Sequence, residues 1–132
     1  MKITKHLILC LILVLSFSCS NSDDTVIRSN ISFEPPSWIQ GTWFEEGAPS
    51  GYKFTSDDII RLELDSNNNI VNEESRSEYW STLEGASVNE FRSANIYNAT
   101  VKIGGQEYEF YEFQKTDENT IQSGTSLTWI RQ

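Results

Sequence analysis

A single cysteine, Cys19, stands where an apolar run gives way to small polar and acidic residues, in the stretch LSFSCSNSDD from Leu15 to Asp24. A thiol at such a seam is either a site of covalent modification or incidental to an ordinary signal peptide or a short buried helix. The other candidates for chemistry are acidic or aromatic. Glu107 and Glu109 share one side of a predicted strand and Glu112 the other. Carboxylates about 5 to 9 Å apart do acid–base work at glycosidic bonds, and i, i+2 neighbours on a strand fall near that separation. A solvated outer face accounts for Glu107 and Glu109 equally well. Asp65-x-Asn67-x-Asn69 has the start of a calcium loop, but Ile70 stands where the glycine is needed and Arg76 where the closing acid is needed. It reads as a hairpin turn. Trp38, Trp43, Trp80 and Trp129 belong to a core first, and alternatively line a site for a sugar or an apolar ligand.

Much chemistry is excluded by what is missing. The apolar run Leu7–Val14, LILCLILV, follows a start carrying Lys2 and Lys5 and fades into small residues before Cys19. That is the layout of a signal peptide, 1–18, and at about 12 apolar residues the run is too short to span a bilayer, which takes roughly 20. Removing 18 of the 132 residues leaves 114, enough for one domain. Cys10 and the one histidine, His6, leave with the segment, so Cys19 is the only remaining thiol. No intramolecular disulfide, histidine triad or histidine-ligated zinc is then available. The shortened chain counts 8 Lys and Arg against 19 Asp and Glu, a net charge of −11. Such acidity repels phosphate backbones, so nucleic acid is excluded as a partner, while a basic partner or a cation is attracted. No residue set calls for a metal or a cofactor, and the chain reads as non-catalytic.

The elements that position these residues are mainly strands. Residues 19–35 are polar up to Pro35-Pro36 and read as a tether, in which Val26, Ile27, Ile31 and Phe33 offer at most a loose edge strand. From residue 36 to 132 the texture is that of a domain. GYKFT alternates, with Tyr52 and Phe54 on one side, and DDIIRLELD sets Ile60, Leu62 and Leu64 against Ile59, Arg61 and Glu63. YNATVKI puts Ala99, Val101 and Ile103 on one face, and Gly104-Gly105 is a two-residue hairpin loop leading to the returning strand QEYEFYEFQK. There the aromatic phase flips between Phe110 and Tyr111, which a β-bulge or coverage of both faces would explain. Ser75-Arg76-Ser77-Glu78 forms a capping box, so a short helix is predicted over Arg76–Glu84, with Tyr79 and Leu83 on its packed face, Trp80 exposed beside them, and Gly85 ending it. Strands every 8 to 12 residues suggest a barrel or sandwich.

Leu15-Ser16-Phe17-Ser18-Cys19 resembles the lipobox of bacterial lipoproteins, with Phe17 bulkier than the usual residue. The resemblance implies that Cys19 takes a diacylglycerol thioether and becomes the acylated N-terminus, tied to the membrane by acyl chains worth about 0.8 kcal/mol per buried methylene. SNSDD is similar to the short acidic export signal of Bacteroidota lipoproteins. It implies the outer membrane, lipid-anchored at the cell surface, with a periplasm-facing anchor as the alternative.

Gly41-Thr42-Trp43 is a G-x-W at the start of the first core strand, preceded by the turn Pro36-Ser37-Trp38-Ile39 and answered by Arg131 in the last strand. This combination resembles the lipocalin and calycin barrels, and the span Trp38–Arg131 resembles small lipocalin-like lipoproteins of Bacteroidota. The resemblance implies an antiparallel up-and-down β-barrel with one short α-helix, in which Trp43 seals one end beneath Arg131. The helix sits mid-chain, a departure from typical lipocalins. The leading expectation is a non-catalytic lipoprotein holding a small or apolar ligand in a cavity lined by Tyr52, Phe54, Tyr111 and Trp129, with Trp80 a further lining candidate. The alternative is a protein-interaction or inhibitor module with a filled barrel and an apolar patch rimmed by carboxylates.

Overall fold

The computed structural model describes residues 30–124 and 126–132. Cys19, the expected signal peptide and the tether before residue 30 lie outside the described residues. Strands run β1 (Gly41–Glu45), β2 (Ser50–Phe54), β3 (Ile59–Leu64) and β4 (Ile70–Ser75). Helix α1 (Arg76–Ser81) follows, then β5 (Ala86–Arg92), β6 (Ile96–Ile103), β7 (Gln106–Lys115), β8 (Thr120–Ser123) and β9 (Leu127–Arg131). All pairings are antiparallel, in the order β4-β3-β2-β1-β9-β8-β7-β6-β5. The sheet curls into a half-barrel. Tyr52 of β2 lies 5.9 Å from both Tyr111 and Phe113 of β7, although β1, β9 and β8 separate those strands in the sheet.

Strands β4 and β5 end the hydrogen-bonded order, and α1 joins them. The helix starts as its sequence predicts: Ser75 is extended, and its Oγ accepts the Glu78 amide at 3.0 Å. It ends at Ser81 rather than Glu84, because the Thr82 hydroxyl bonds back to the Tyr79 carbonyl and Gly85 turns at φ +74°. Leu83, just past its end, packs against the core as expected, but Tyr79 and Trp80 exchange places relative to the expectation. Trp80 is buried with Arg76, and Tyr79 is exposed. The reason is a polar one: Glu109 on the concave face of β7 takes both the Trp80 indole and the Arg76 guanidinium.

Residues 30–35 are packed where the sequence suggests a tether. Ile31, Phe33 and Pro35 are buried and alternate with exposed Ser32 and Glu34, but no strand forms. The segment is a strap between the sheet's two ends. The Ile31 amide donates to Ser81 Oγ of α1, the Ser32 hydroxyl to the Asp57 carbonyl, and the Glu34 amide to Glu90 of β5, while Glu34 pairs with Arg92. Phe33 meets Tyr111 edge-on at 5.8 Å.

One end of the half-barrel is sealed as the G-x-W pattern implies. The Trp43 indole donates to the Ile39 carbonyl at 2.7 Å, and the Arg131 guanidinium lies 4.2 Å from its ring centroid. Arg131 also donates to the carbonyls of Gln40, Trp38 and Glu118. Gly41 has φ +130°, and a Cβ there would stand 2.7 Å from Arg131 Nη1, so both the backbone and the guanidinium require glycine. Gly104 and Gly105, both at positive φ, make the hairpin turn.

The bulge in β7 lies elsewhere than the aromatic pattern suggests. Val101 pairs with Glu109 and Lys102 with Glu107, leaving Tyr108 as the extra residue. Beyond it Glu109, Tyr111 and Phe113 face inward, while Tyr108 and Phe110 stand out toward solvent, so the core covers the inner face of β7 and its outer face is open there. On β3 it is Ile59 and Arg61 that share the concave face with Phe54 and Tyr52, their cross-strand partners. Leu62 is buried on the convex side, opposite Gly51, over which the Phe44 ring lies.

Candidate functional site

At the end away from the Trp43 seal the concave face is open. A cleft of about 280 Å³ lies there, lined by Glu45, Ser50, Gly51, Tyr52, Arg61, Ser123, Leu127 and Trp129. Strand pairing brings these residues together. Tyr52 stands opposite Arg61, Glu45 opposite Trp129, and Leu127 opposite Ser123. Trp129 is fixed by an indole donation to Ser123 Oγ at 2.8 Å, and its ring lies 5.1 Å from Tyr52.

The tyrosine is the floor of this cleft and the lid of the core. Its ring touches Phe54, Tyr111 and Phe113 below. Of the expected lining, Tyr52 and Trp129 therefore reach the cleft. Phe54 and Tyr111 are 2% and 3% exposed and fill the interior beneath it. The sequence suggests a deep cavity because all four share a face. Aromatic side chains from opposite walls of a narrow half-barrel meet in the middle and leave no such space. Trp80 lies outside the cleft lining, within the buried cluster on β7.

That cluster carries the interior's charge. Glu109 Oε2 accepts from Arg76 Nη2 at 2.8 Å, Arg76 Nε at 3.2 Å and Trp80 Nε1 at 2.6 Å. Arg76 also bonds Glu74 at 2.7 Å and the Tyr111 hydroxyl at 3.2 Å, and its guanidinium lies over the Tyr79 and Trp80 rings. Burial alone would lower the Arg76 pKa, but the Glu109 hydrogen bond and the neighbouring charge raise it, so it stays cationic. Burial, and then Glu109, hold the Tyr111 phenol far above its ordinary value. Tyr52 is likewise raised, first by burial and then by Glu109, so both phenols are neutral at physiological pH.

The paired-carboxylate reading does not survive the bulge. Glu107 faces outward to Lys102, and Glu109 faces inward to Arg76. The Asp65 turn is equally committed: its carboxylate accepts the amides of Asn67 and Asn69 and the Asn69 side chain, and these bonds hold its pKa below the ordinary value. Sequence reasoning missed Arg61 and Glu45 as cleft residues and Arg76 as the partner of Glu109. For Glu109 a sign was available, since an acid at the strand parity of Tyr111 and Phe113 is an acid at a core position. For Arg61 none was, because both faces of β3 read as apolar enough to be the inner one. Compared with protein-family profiles, with curated proteins and with solved structures, the chain matches none.

Proposed function

We propose that the chain is a non-catalytic lipoprotein, acylated on Cys19 and displayed on the outer membrane, whose lipocalin-like domain binds a small ligand at its open end. In this reading the half-barrel is completed across the β4–β5 seam by α1 and the strap. The anchor rests on the Leu15–Cys19 run and the surface placement on the acidic residues behind it; a periplasm-facing anchor is the alternative address. One observation carries the binding reading: a buried aromatic cluster fills the interior beneath Tyr52, and above it the concave face opens into a cleft where Tyr52 and Trp129 meet the charged Arg61 and Glu45. A small-molecule site joins apolar surface to placed polar groups in a concavity, and this cleft sets Tyr52, Trp129 and Leu127 beside Glu45, Arg61, Ser50 and Ser123. At about 280 Å³ it holds a ligand of monosaccharide or dipeptide size rather than a long acyl chain.

The test is native mass spectrometry of the full chain in detergent after incubation with extract of its source cells. A retained small mass, lost on Trp129→Ala, supports the reading. A bare protein whose tryptophan fluorescence is unchanged by the extract refutes it. A second reading, an interaction module, draws on Phe91 and Phe110, exposed on the convex side beside Glu112 and diagonal to one another across β6. It requires a basic protein partner whose capture is abolished by Phe91→Ser with Phe110→Ser.

A further inference from the structure

The cleft holds two opposite charges that do not pair with each other. Arg61 makes no ion pair and no hydrogen bond among the described residues, although the protein is rich in carboxylates. Those nearest to it are committed elsewhere: Glu74, its cross-strand partner, bonds Arg76, and Glu63, two residues along β3, accepts from Asn72. Glu45, on the far wall, accepts only the Ser50 hydroxyl and forms no ion pair among the described residues. Strand β2 lies between β1 and β3, and Glu45 stands two residues along from the Trp43–Tyr52–Arg61 row, so the two backbones are about 12 Å apart at these residues. Between them sit the Tyr52 ring and its hydroxyl, which also has no hydrogen-bond partner among the described residues, and beside Glu45 stand Trp129 and half-exposed Leu127.

Resting on the cleft as the binding site, we propose that its ligand is a small zwitterion with an apolar side chain, of the amino-acid or dipeptide class. Arg61 takes the carboxylate, which matches its planar fork of donors. Glu45 takes the ammonium, and Tyr52 donates to the polar atoms between them. The apolar side chain lies on Leu127 and Trp129. A neutral polyol would satisfy the hydroxyls but leave both charges without a counter-charge. A simple anion would be met by Arg61 and repelled by Glu45, and a simple cation the reverse. Only a ligand carrying both signs complements both walls.

The experiment is isothermal titration of the full chain in detergent with the dipeptide Ala-Phe, with its N-acetylated form and with its C-terminal amide. Ala-Phe binds, and blocking either end weakens binding by at least about tenfold, the loss expected for a hydrogen-bonded charge. Arg61→Gln abolishes the preference for the free acid over the amide, and Glu45→Gln abolishes the preference for the free amine over the acetyl form. Both side chains reach solvent, so thermal melting of the variants stays at the parent value and controls for folding. The proposal is overturned if the blocked forms bind as tightly as Ala-Phe, or if Ala-Phe does not bind. Should the cell extract still leave a small mass on the protein in that case, the cleft remains a site and only the charge assignment falls. If the extract leaves nothing either, both fall.

Discussion

Arg76→Met removes one partner from the buried cluster at the seam, and its cost is set by what is left behind. Glu74 is 41% exposed and recovers its hydration. Glu109 is 26% exposed, loses two donations from the guanidinium and keeps the Trp80 indole and the neighbouring Tyr111 phenol. Breaking a buried pair from one side costs about 3 to 5 kcal/mol, and the partial exposure of Glu109 puts this case at the lower end, about 3 kcal/mol. For a domain of this size that is a fall in Tm of about 12 to 24 °C. The double variant Arg76→Met/Glu109→Leu removes both charges and fills the space with apolar atoms, so it recovers to within about 1 kcal/mol of the parent. The assay is urea unfolding of the full chain, followed by tryptophan fluorescence, for the parent, both single variants and the double. The interaction energy from the cycle is at least about 2 kcal/mol, the Arg76→Met loss less the residual loss of the double variant, and grows by whatever Glu109→Leu costs alone. Additive single losses, or an Arg76→Met variant within about 0.5 kcal/mol of the parent, refute the claim that Glu109 joins the helix to the sheet through Arg76.

Arg131→Ala loses the stacking on Trp43 and three carbonyl acceptors, and melts about 8 to 20 °C lower by differential scanning calorimetry, while Arg131→Lys keeps the charge but not the fork and falls between the two. Phe33→Ala costs about 3 to 5 kcal/mol by urea unfolding, as for a fully buried phenylalanine; a loss under 1 kcal/mol would return residues 30–35 to the status of a tether. Tyr52, Tyr97 and Tyr111 all have pKa values raised in the folded state, chiefly by burial. The unfolded chain sheds these protons first, so stability is intact below about pH 10 and falls as the pH rises above it. Absorbance at 295 nm should show these phenols ionising together with loss of the near-ultraviolet circular dichroism, and their ionisation with the fold intact would contradict the packing.

Local patterns in the sequence led to correct elements wherever a short-range constraint governed them. The Ser75 cap, the Gly104-Gly105 turn and the Ala99/Val101 face are all of this kind, whereas the Trp43–Arg131 contact, between distant residues, followed from the resemblance that the G-x-W and the terminal arginine carry. What stayed hidden depends on curvature and on partners far apart in sequence. Strand β3 has apolar residues on both faces, and only the pairing Phe54–Ile59 decides that Arg61, not Leu62, looks into the cleft. Trp80 turns inward because an acid 29 residues away offers it an acceptor. Phe33 sits among polar neighbours that read as linker, and its burial depends on a gap between β4 and β5 that no local pattern reveals. The cleft's aromatic floor was legible, but its charged walls were not.

The strand order has a consequence for how the chain comes to be folded. β1 and β9 lie side by side at the middle of the sheet, with Trp43 directly across from Arg131. During synthesis β1 to β4 can form a meander, and so can β5 to β8, but the two halves have no common strand border until Leu127–Arg131 has been made. Contacts between such distant segments carry a large loop-closure cost and slow the search, to the millisecond-to-second range typical of all-β domains. A nascent chain halted before β9 exposes the edge of β1 and an unsealed aromatic interior, the sort of surface on which chaperones act and aggregation begins.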